Sequence, residues 1–184
     1  TSDSRVVDLR GAMVLPGIHD IHMHPMEAGN TAAGSCWVPS ETPLDSDEME
    51  SAIRGCWKNR PDGVYWVVGL GHSIANVLEF VESSPNMDPK ELLDLYTDDA
   101  LDDSGNPLPV ILMEETSLSF WANSRALEMA GITADTPDGP GSIIMKNERG
   151  EPNGILLENA GDLVMEMASD PDVYPELLRL NYEG

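Results

Sequence analysis

Three polar side chains with the chemistry of a metal site alternate along one short segment of the chain. Asp20, His22 and His24 are separated by Ile21 and Met23, so on an extended strand all three would point to one face. Two neutral imidazoles placed in this way can reach one metal ion at the roughly 2.0–2.1 Å that zinc ligation requires. An Asp two residues before the first His can accept a hydrogen bond from an imidazole and orient it. Taken alone, the His-x-His pattern fits two surface or core histidines equally well.

The elements that must position this segment are predicted by the apolar periodicity around it. Short apolar runs at 5–8 and 12–15 predict two strands around the turn at Arg10-Gly11. Further along, the pattern predicts strands at 64–68, 110–113 and 142–146, helices at 45–58, 89–96 and 119–130, a helix or a strand running into a helix at 155–167, and a last helix from 175 to 180. Alternating strands and helices favour an α/β fold with some parallel pairing.

The composition excludes several classes of partner. The 184 residues include 33 Asp and Glu against 10 Lys and Arg, a formal net charge of -23. Nucleic acid is not an expected partner, because phosphates are bound by Lys and Arg. No apolar run reaches the roughly 18 residues that a membrane span needs, so we expect no membrane partner. The acidic residues are spread along the chain, which indicates adaptation to a salty solvent more than a binding site.

The two cysteines carry a weaker signal. Cys36 and Cys56 are 20 residues apart, which fits neither a Cys-x-x-Cys metal site nor a disulfide-dense secreted scaffold. The spacing therefore predicts two buried thiols. We expect a cytoplasmic protein.

Several longer segments resemble one family closely. The stretch from Val7 to Pro25, with its Pro-Gly-Ile-His-Asp-Ile-His-Met-His core, is similar to the opening segment of amidohydrolase-superfamily enzymes. Three later segments resemble amidohydrolase family 3, the branch that includes N-substituted formamide deformylase-like metal-dependent hydrolases; they span residues 120–132, 136–143 and 149–160. The resemblance runs from about residue 6 to residue 168, with the motifs in the same order.

The resemblance implies a particular fold and chemistry. It implies part of a (β/α)8 TIM barrel with one or two divalent metal ions, most often zinc, at its mouth. It also implies an enzyme that hydrolyses a C–N bond of a small amide-like substrate with metal-activated water. His22 and His24 match the first-strand ligands, and Glu158 matches a carboxylate that acts at the metal and in catalysis. A helix-capping or solvent-facing Glu is the alternative for Glu158. Asp20 is expected to orient a ligand imidazole or to support the end of the strand.

The substrate side of the resemblance rests on three further residues. His72, in the loop after a predicted strand, is a candidate for contact with substrate or metal, the alternative being an exposed loop histidine. Trp121 and Asn123 lie in the predicted helix that the resemblance places near the substrate cavity.

The resemblance also implies how the chain is divided. Residues 1–16 match the end of a small β-sandwich, 17–30 the first barrel strand, 31–154 a large α+β insertion that caps the substrate, and 155–184 the return to the barrel. Later ligands would lie beyond Gly184, so the chain is expected to be an N-terminal fragment. An incomplete barrel leaves open strand edges, which predicts a chain that is either homo-oligomeric or poorly packed.

One departure from the family pattern supports a different function. Leu118 stands where similar sequences carry a His, and a leucine can neither ligate nor form a hydrogen bond through its side chain. The alternative to a hydrolase is therefore a truncated or degenerate, non-catalytic α/β relative that binds a ligand or a partner.

Overall fold

A five-stranded sheet organises the part of the chain that the structure describes. The computed structural model describes residues 4–5, 7–17, 36–60 and 64–168. Within these ranges the elements in chain order are α1 (Asp47–Lys58), β1 (Val67–Leu70), α2 (Ile74–Ser83), α3 (Pro89–Tyr96), β2 (Val110–Met113), β3 (Ser119–Ala122), α4 (Ser124–Met129), β4 (Ser142–Lys146), β5 (Pro152–Glu158) and α5 (Asp162–Ala168).

The sheet is mixed, with the strand order β1-β2-β3-β5-β4. Strands β1 and β2 are parallel, and the three other pairings are antiparallel. Beyond β1, residues 36–38 add a short parallel segment, in which the Val38 amide donates to Leu70 O at 2.9 Å and the Leu70 amide donates to Cys36 O at 3.1 Å. The predicted α/β class with parallel pairing is confirmed.

Helices cover both faces of the sheet because its strands are apolar on both sides. In β2, Val110 and Leu112 pack with α1, α2 and α3, whereas Ile111 and Met113 pack with α4 and α5. All four side chains are buried, which is why this strand is a continuous apolar run without alternation. Burying each such side chain contributes about 1.5–3 kcal/mol to folding. The result is a three-layer arrangement, with the sheet between two layers of helices.

The helices begin where the sequence supplies a cap. Ser46 Oγ accepts the Met49 amide at 3.2 Å, so α1 begins within two residues of its predicted start and ends as predicted at Lys58. Helix α3 has Pro89 at its first turn, and Glu91 Oε2 accepts the amide of Asp88 at 2.8 Å. Both predicted helices are confirmed.

Two predictions about local structure are wrong, and one helix is missed. Residues 119–122 form strand β3, so α4 is shorter than the predicted helix 119–130 and begins after Asn123, its N-cap. Helix α2, capped by Ser73, was not predicted. Residues 7–17 form no strand; the predicted turn at Arg10-Gly11 is present, with the Ala12 amide donating to Leu9 O at 2.9 Å.

The cysteine prediction is wrong in its chemistry. Cys36 and Cys56 are buried, 1% and 3% exposed, but they are joined in a disulfide and are not free thiols. Spacing along the chain does not show which residues meet in space.

No helix within the described residues is long and apolar enough to cross a bilayer.

Candidate functional site

One edge of the sheet brings together most of the chain's candidate residues. Strands β1, β2 and β5 end at this edge, and the antiparallel β3 and β4 begin there. We call it the carboxyl edge; the residues at it that carry the argument are His72, Glu114, Ser117, Leu118, Ser119 and Glu158. Ligands of α/β proteins commonly bind beyond the carboxyl ends of strands, because side chains from several strands meet there.

Backbone strain is concentrated at the carboxyl edge. Four non-glycine residues in the described ranges have positive φ, and three of them are at this edge: His72 (φ 24), Ser117 (φ 61) and Glu158 (φ 53). Such conformations cost of the order of 1–3 kcal/mol each and are retained where the surrounding structure imposes them, often at functional sites. The strain therefore marks this edge independently of any sequence motif.

Glu158 ends β5 with an exposed side chain at the carboxyl edge. Its amide donates to Leu118 O at 2.9 Å, so the residue preceding β3 lies directly beside it. The Leu118 side chain is 53% exposed, which places an apolar surface next to the carboxylate. The position of Glu158 suits a ligand or a proton acceptor, and the neighbouring leucine supplies neither function.

His72 follows β1 and is 0% exposed. The alternative of an exposed loop histidine is therefore wrong. Its Nε2 atom is 3.4 Å from Ser119 Oγ, whereas its Nδ1 atom is buried without a hydrogen-bond partner. Burial lowers the pKa of His72 from 6.5 to about 4, and the nearby Glu114 carboxylate opposes this shift. His72 is thus a neutral imidazole at pH 7.

Sequence reasoning missed Glu114, which immediately follows β2. It is 5% exposed; Oε1 accepts the Ile74 amide at 2.9 Å, and Oε2 accepts the Thr116 hydroxyl at 2.7 Å. A carboxylate at the first turn of α2 is favourable because the helix N-terminus is positive. Its position directly after a buried strand was a signal that could have identified it.

Trp121 and Asn123 lie away from the surface of the carboxyl edge. Trp121 is 0% exposed, 6.2 Å from His72 between ring centroids, and its Nε1 donates to Pro89 O at 2.8 Å. Asn123 is at the opposite end of β3, about 13 Å along the strand from Ser119. Its Oδ1 accepts the amides of Val110 and Ala126, and its Nδ2 donates to Leu108 O. Both side chains are therefore buried and hydrogen-bonded to backbone groups.

The remaining predicted site residues, Asp20, His22 and His24, lie outside the described residues. Within the described ranges no three His, Cys, Asp or Glu side chains are placed to hold a metal ion together. The donor types nevertheless fit a divalent metal, since two imidazoles and a carboxylate form a common zinc ligand set and Glu158 is exposed at the edge.

Comparison with known proteins identifies the family of the chain. The amidohydrolase family model, that of family 3, matches residues 5–180, so the chain belongs to the amidohydrolase family.

Individual relatives agree with this assignment. N-substituted formamide deformylase of Arthrobacter pascens is 31% identical over 163 residues, which are 88% of this chain and 27% of that protein. The exoenzymes regulatory protein AepA of Pectobacterium carotovorum subsp. carotovorum is 27% identical over 159 residues, 85% of this chain and 31% of that protein. The chain thus spans less than a third of these relatives' length.

A solved structure shares the fold. The crystal structure of an uncharacterized metal-dependent hydrolase from Pyrococcus furiosus has a TM-score of 0.51 with 14% identity, over 91% of this chain and 29% of that one.

Proposed function

We propose that this chain is part of a metal-dependent hydrolase that cleaves a C–N bond in a small amide-like substrate. The observation that carries the proposal is Glu158, in a chain of the amidohydrolase family. Its side chain is exposed where three strands end, and its backbone has a positive φ. The relative named as an N-substituted formamide deformylase supports the bond type. The structural neighbour, described as a metal-dependent hydrolase, supports metal dependence.

In this proposal the metal is held by His22, His24 and Glu158, with Asp20 orienting an imidazole. Zinc is the first choice, as one or two ions. A divalent metal bound there supplies a water of lowered pKa and polarises the substrate carbonyl. Glu158 also accepts a proton at a carboxylate oxygen and passes it to the leaving amine, which suits a carboxylate that is exposed at the edge.

Three residues complete the substrate side of the proposal. His72 is neutral at pH 7, so it can orient groups at the edge without adding charge. Trp121 packs beside it, and Asn123 holds β2 and α4 in register. Since all three side chains are buried, in this proposal they act on the substrate through the residues that they support.

The wider architecture belongs to the same proposal. Residues 1–16 are assigned to a β-sandwich, 17–30 to the first strand of a (β/α)8 barrel, 31–154 to the insertion and 155–184 to the return to the barrel. The described sheet falls almost wholly within the proposed insertion. Self-association through open strand edges stays a prediction.

Metal analysis tests the proposal without requiring turnover. The purified chain, dialysed against zinc and then against metal-free buffer, is expected to retain close to one equivalent by elemental analysis. The His22→Ala/His24→Ala variant is expected to lose it, and Glu158→Gln to bind it more weakly. His19→Ala is the matched control, a histidine of the same segment that the proposal leaves out. Equal zinc in the wild type and the double variant contradicts the proposal.

Leu118 supports one second candidate, a non-catalytic relative that binds a ligand or partner. An apolar side chain beside Glu158 removes a polar group from the edge, and one relative is named as a regulatory protein. An amide-hydrolysis assay of the full-length protein with Leu118 in place separates the two candidates. A hydrolase shows turnover, whereas a non-catalytic relative shows none.

A further inference from the structure

The Cys36–Cys56 disulfide joins the short segment 36–38 to helix α1. The two Cα atoms are 4.6 Å apart, and the cysteines are 20 residues apart in sequence. Cys36 lies in the short segment beside β1, which is attached to the sheet through the two backbone hydrogen bonds with Leu70. Cys56 lies in the last turn of α1, on the face that carries the buried Met49 and Ile53. The covalent bond therefore fixes a sheet edge to the helix that covers it.

The neighbouring strand is shaped to accept the disulfide. Gly69 of β1 has no side chain, and a Cβ atom placed there would collide with Cys36 Sγ. Glycine weakens a strand interior, so its presence here is consistent with the close approach of the sulfur. Both cysteines are in the apolar cluster formed with α1, α2 and α3. The disulfide therefore lies within this apolar cluster, with Cys36 Sγ against Gly69.

Burial decides between a structural bond and a switch. Thiol–disulfide exchange requires a thiolate to reach one sulfur of the bond, and labile or regulatory disulfides are therefore strained or exposed. Cys36 is 1% exposed and Cys56 is 3% exposed, so neither sulfur is open to attack in the folded chain. No free cysteine is present in the described ranges to attack from within.

We propose that Cys36–Cys56 is a permanent structural cross-link that forms in an oxidising compartment. Structural disulfides persist in such compartments and are rare where glutathione and thioredoxin keep thiols reduced. This inference replaces the cytoplasmic location expected from the sequence. It does not depend on the proposed hydrolase activity.

The oxidation balances with a small-molecule disulfide such as glutathione disulfide. One cysteine thiolate attacks it, forming a mixed disulfide and releasing one glutathione thiolate. The second cysteine thiolate then attacks the protein sulfur of the mixed disulfide and releases the other. The protein loses two protons and two electrons, and one glutathione disulfide becomes two glutathione thiols.

The cross-link should change stability measurably. Closing a loop of this length removes conformational freedom from the unfolded chain, and the chain-entropy relation corresponds to roughly a 200-fold change in the folding equilibrium constant. Reduction or removal of the bond should lower the equilibrium constant by that order.

The experiment produces the chain in the bacterial cytosol and, with an export signal, in the periplasm. Each sample is denatured in N-ethylmaleimide at lysis, and its intact mass is measured by mass spectrometry. Each free thiol adds one N-ethylmaleimide adduct, so we expect two adducts on the cytosolic chain and none on the periplasmic chain. Urea unfolding should then show a folding equilibrium constant roughly 200-fold larger for the periplasmic chain.

A Cys36→Ala/Cys56→Ala variant produced in both compartments is the matched control, and its two preparations should have equal stability. The adduct count stays decisive if this variant does not fold. Two adducts on both wild-type preparations, a disulfide already complete in the cytosolic chain, or equal stability of the two wild-type preparations would each overturn the proposal.

Discussion

Protonation of His72 should destabilise the fold as the pH falls below 6.5. Burial lowers the pKa of this side chain from 6.5 to about 4 in the folded chain. In the unfolded chain it takes up a proton near pH 6.5, so between pH 6.5 and 4 the unfolded state binds more protons. The stabilisation is therefore complete above pH 6.5 and is lost progressively as the pH falls towards 4.

The size of the effect follows from the shift in pKa. Each unit of difference is worth about 1.4 kcal/mol, so the whole window is worth about 3 kcal/mol and the loss by pH 5 is about 2 kcal/mol. That is a large fraction of the roughly 5–15 kcal/mol by which domains are usually stable. Many carboxylates titrate below pH 5, so the comparison with a variant is what isolates His72.

His72→Asn is the appropriate variant. Asparagine tolerates the positive φ of this position and keeps a polar group near Ser119, but it does not titrate. Urea unfolding is followed by tryptophan fluorescence at pH 7.5, 6.5, 5.5 and 5.0. Between pH 7.5 and 5.0 the wild type should lose about 2 kcal/mol more than the variant.

Glu114→Gln tests the charge that opposes the shift, by the same urea unfolding at the same pH values. The Glu114 charge raises the pKa of His72, so removing it should lower that pKa further and extend the loss of stability to lower pH.

If the wild-type and His72→Asn stabilities fall in parallel from pH 7.5 to 5.0, the argument from burial is refuted.

Two other predictions concern a buried amide and the net charge. Asn123→Ala should cost about 3 kcal/mol in urea unfolding, because it removes the cap of α4 and the hydrogen bonds to the Val110 amide and the Leu108 carbonyl. The exposed Asn159→Ala should cost less than about 0.5 kcal/mol, and equal losses would contradict the assigned role. The net charge of -23 should make the fold less stable at low salt through repulsion between like charges. The thermal midpoint should therefore rise between 0.1 and 1 M NaCl, as the screening length falls from about 10 Å to about 3 Å. A flat or falling midpoint in calorimetry would show that charge repulsion does not limit the stability of the fold.

Much of the local structure could be predicted because its signals are local. The helix 89–96 was predicted at its exact bounds because proline at the first turn and leucines at helical spacing leave few alternatives. Strands 110–113 and 142–146 were predicted from short apolar runs. Gly131, expected after the end of a helix, has a positive φ of 67 directly after the C-cap Ala130.

Residues 119–122 show where the local signal is ambiguous. Phe120 and Trp121 belong to an apolar run that fits either a buried strand or the first turn of the helix that follows. Pairing with β2 on one side and β5 on the other decides for a strand. Asn123 then becomes a cap at the end of that strand, and a helix interior position is excluded.

The sequence by itself determined the family, the residue types of the candidate metal site, the excess of negative charge, and most helix and strand positions, since these depend on residues close together in the chain. Tertiary structure alone decided that Cys36 meets Cys56, that His72 is buried and neutral at pH 7, and that Glu158, Leu118 and Glu114 share one edge with strained backbone. The physical reason is that burial and pairing depend on which distant segments pack together, and the free energy of that packing belongs to the whole core.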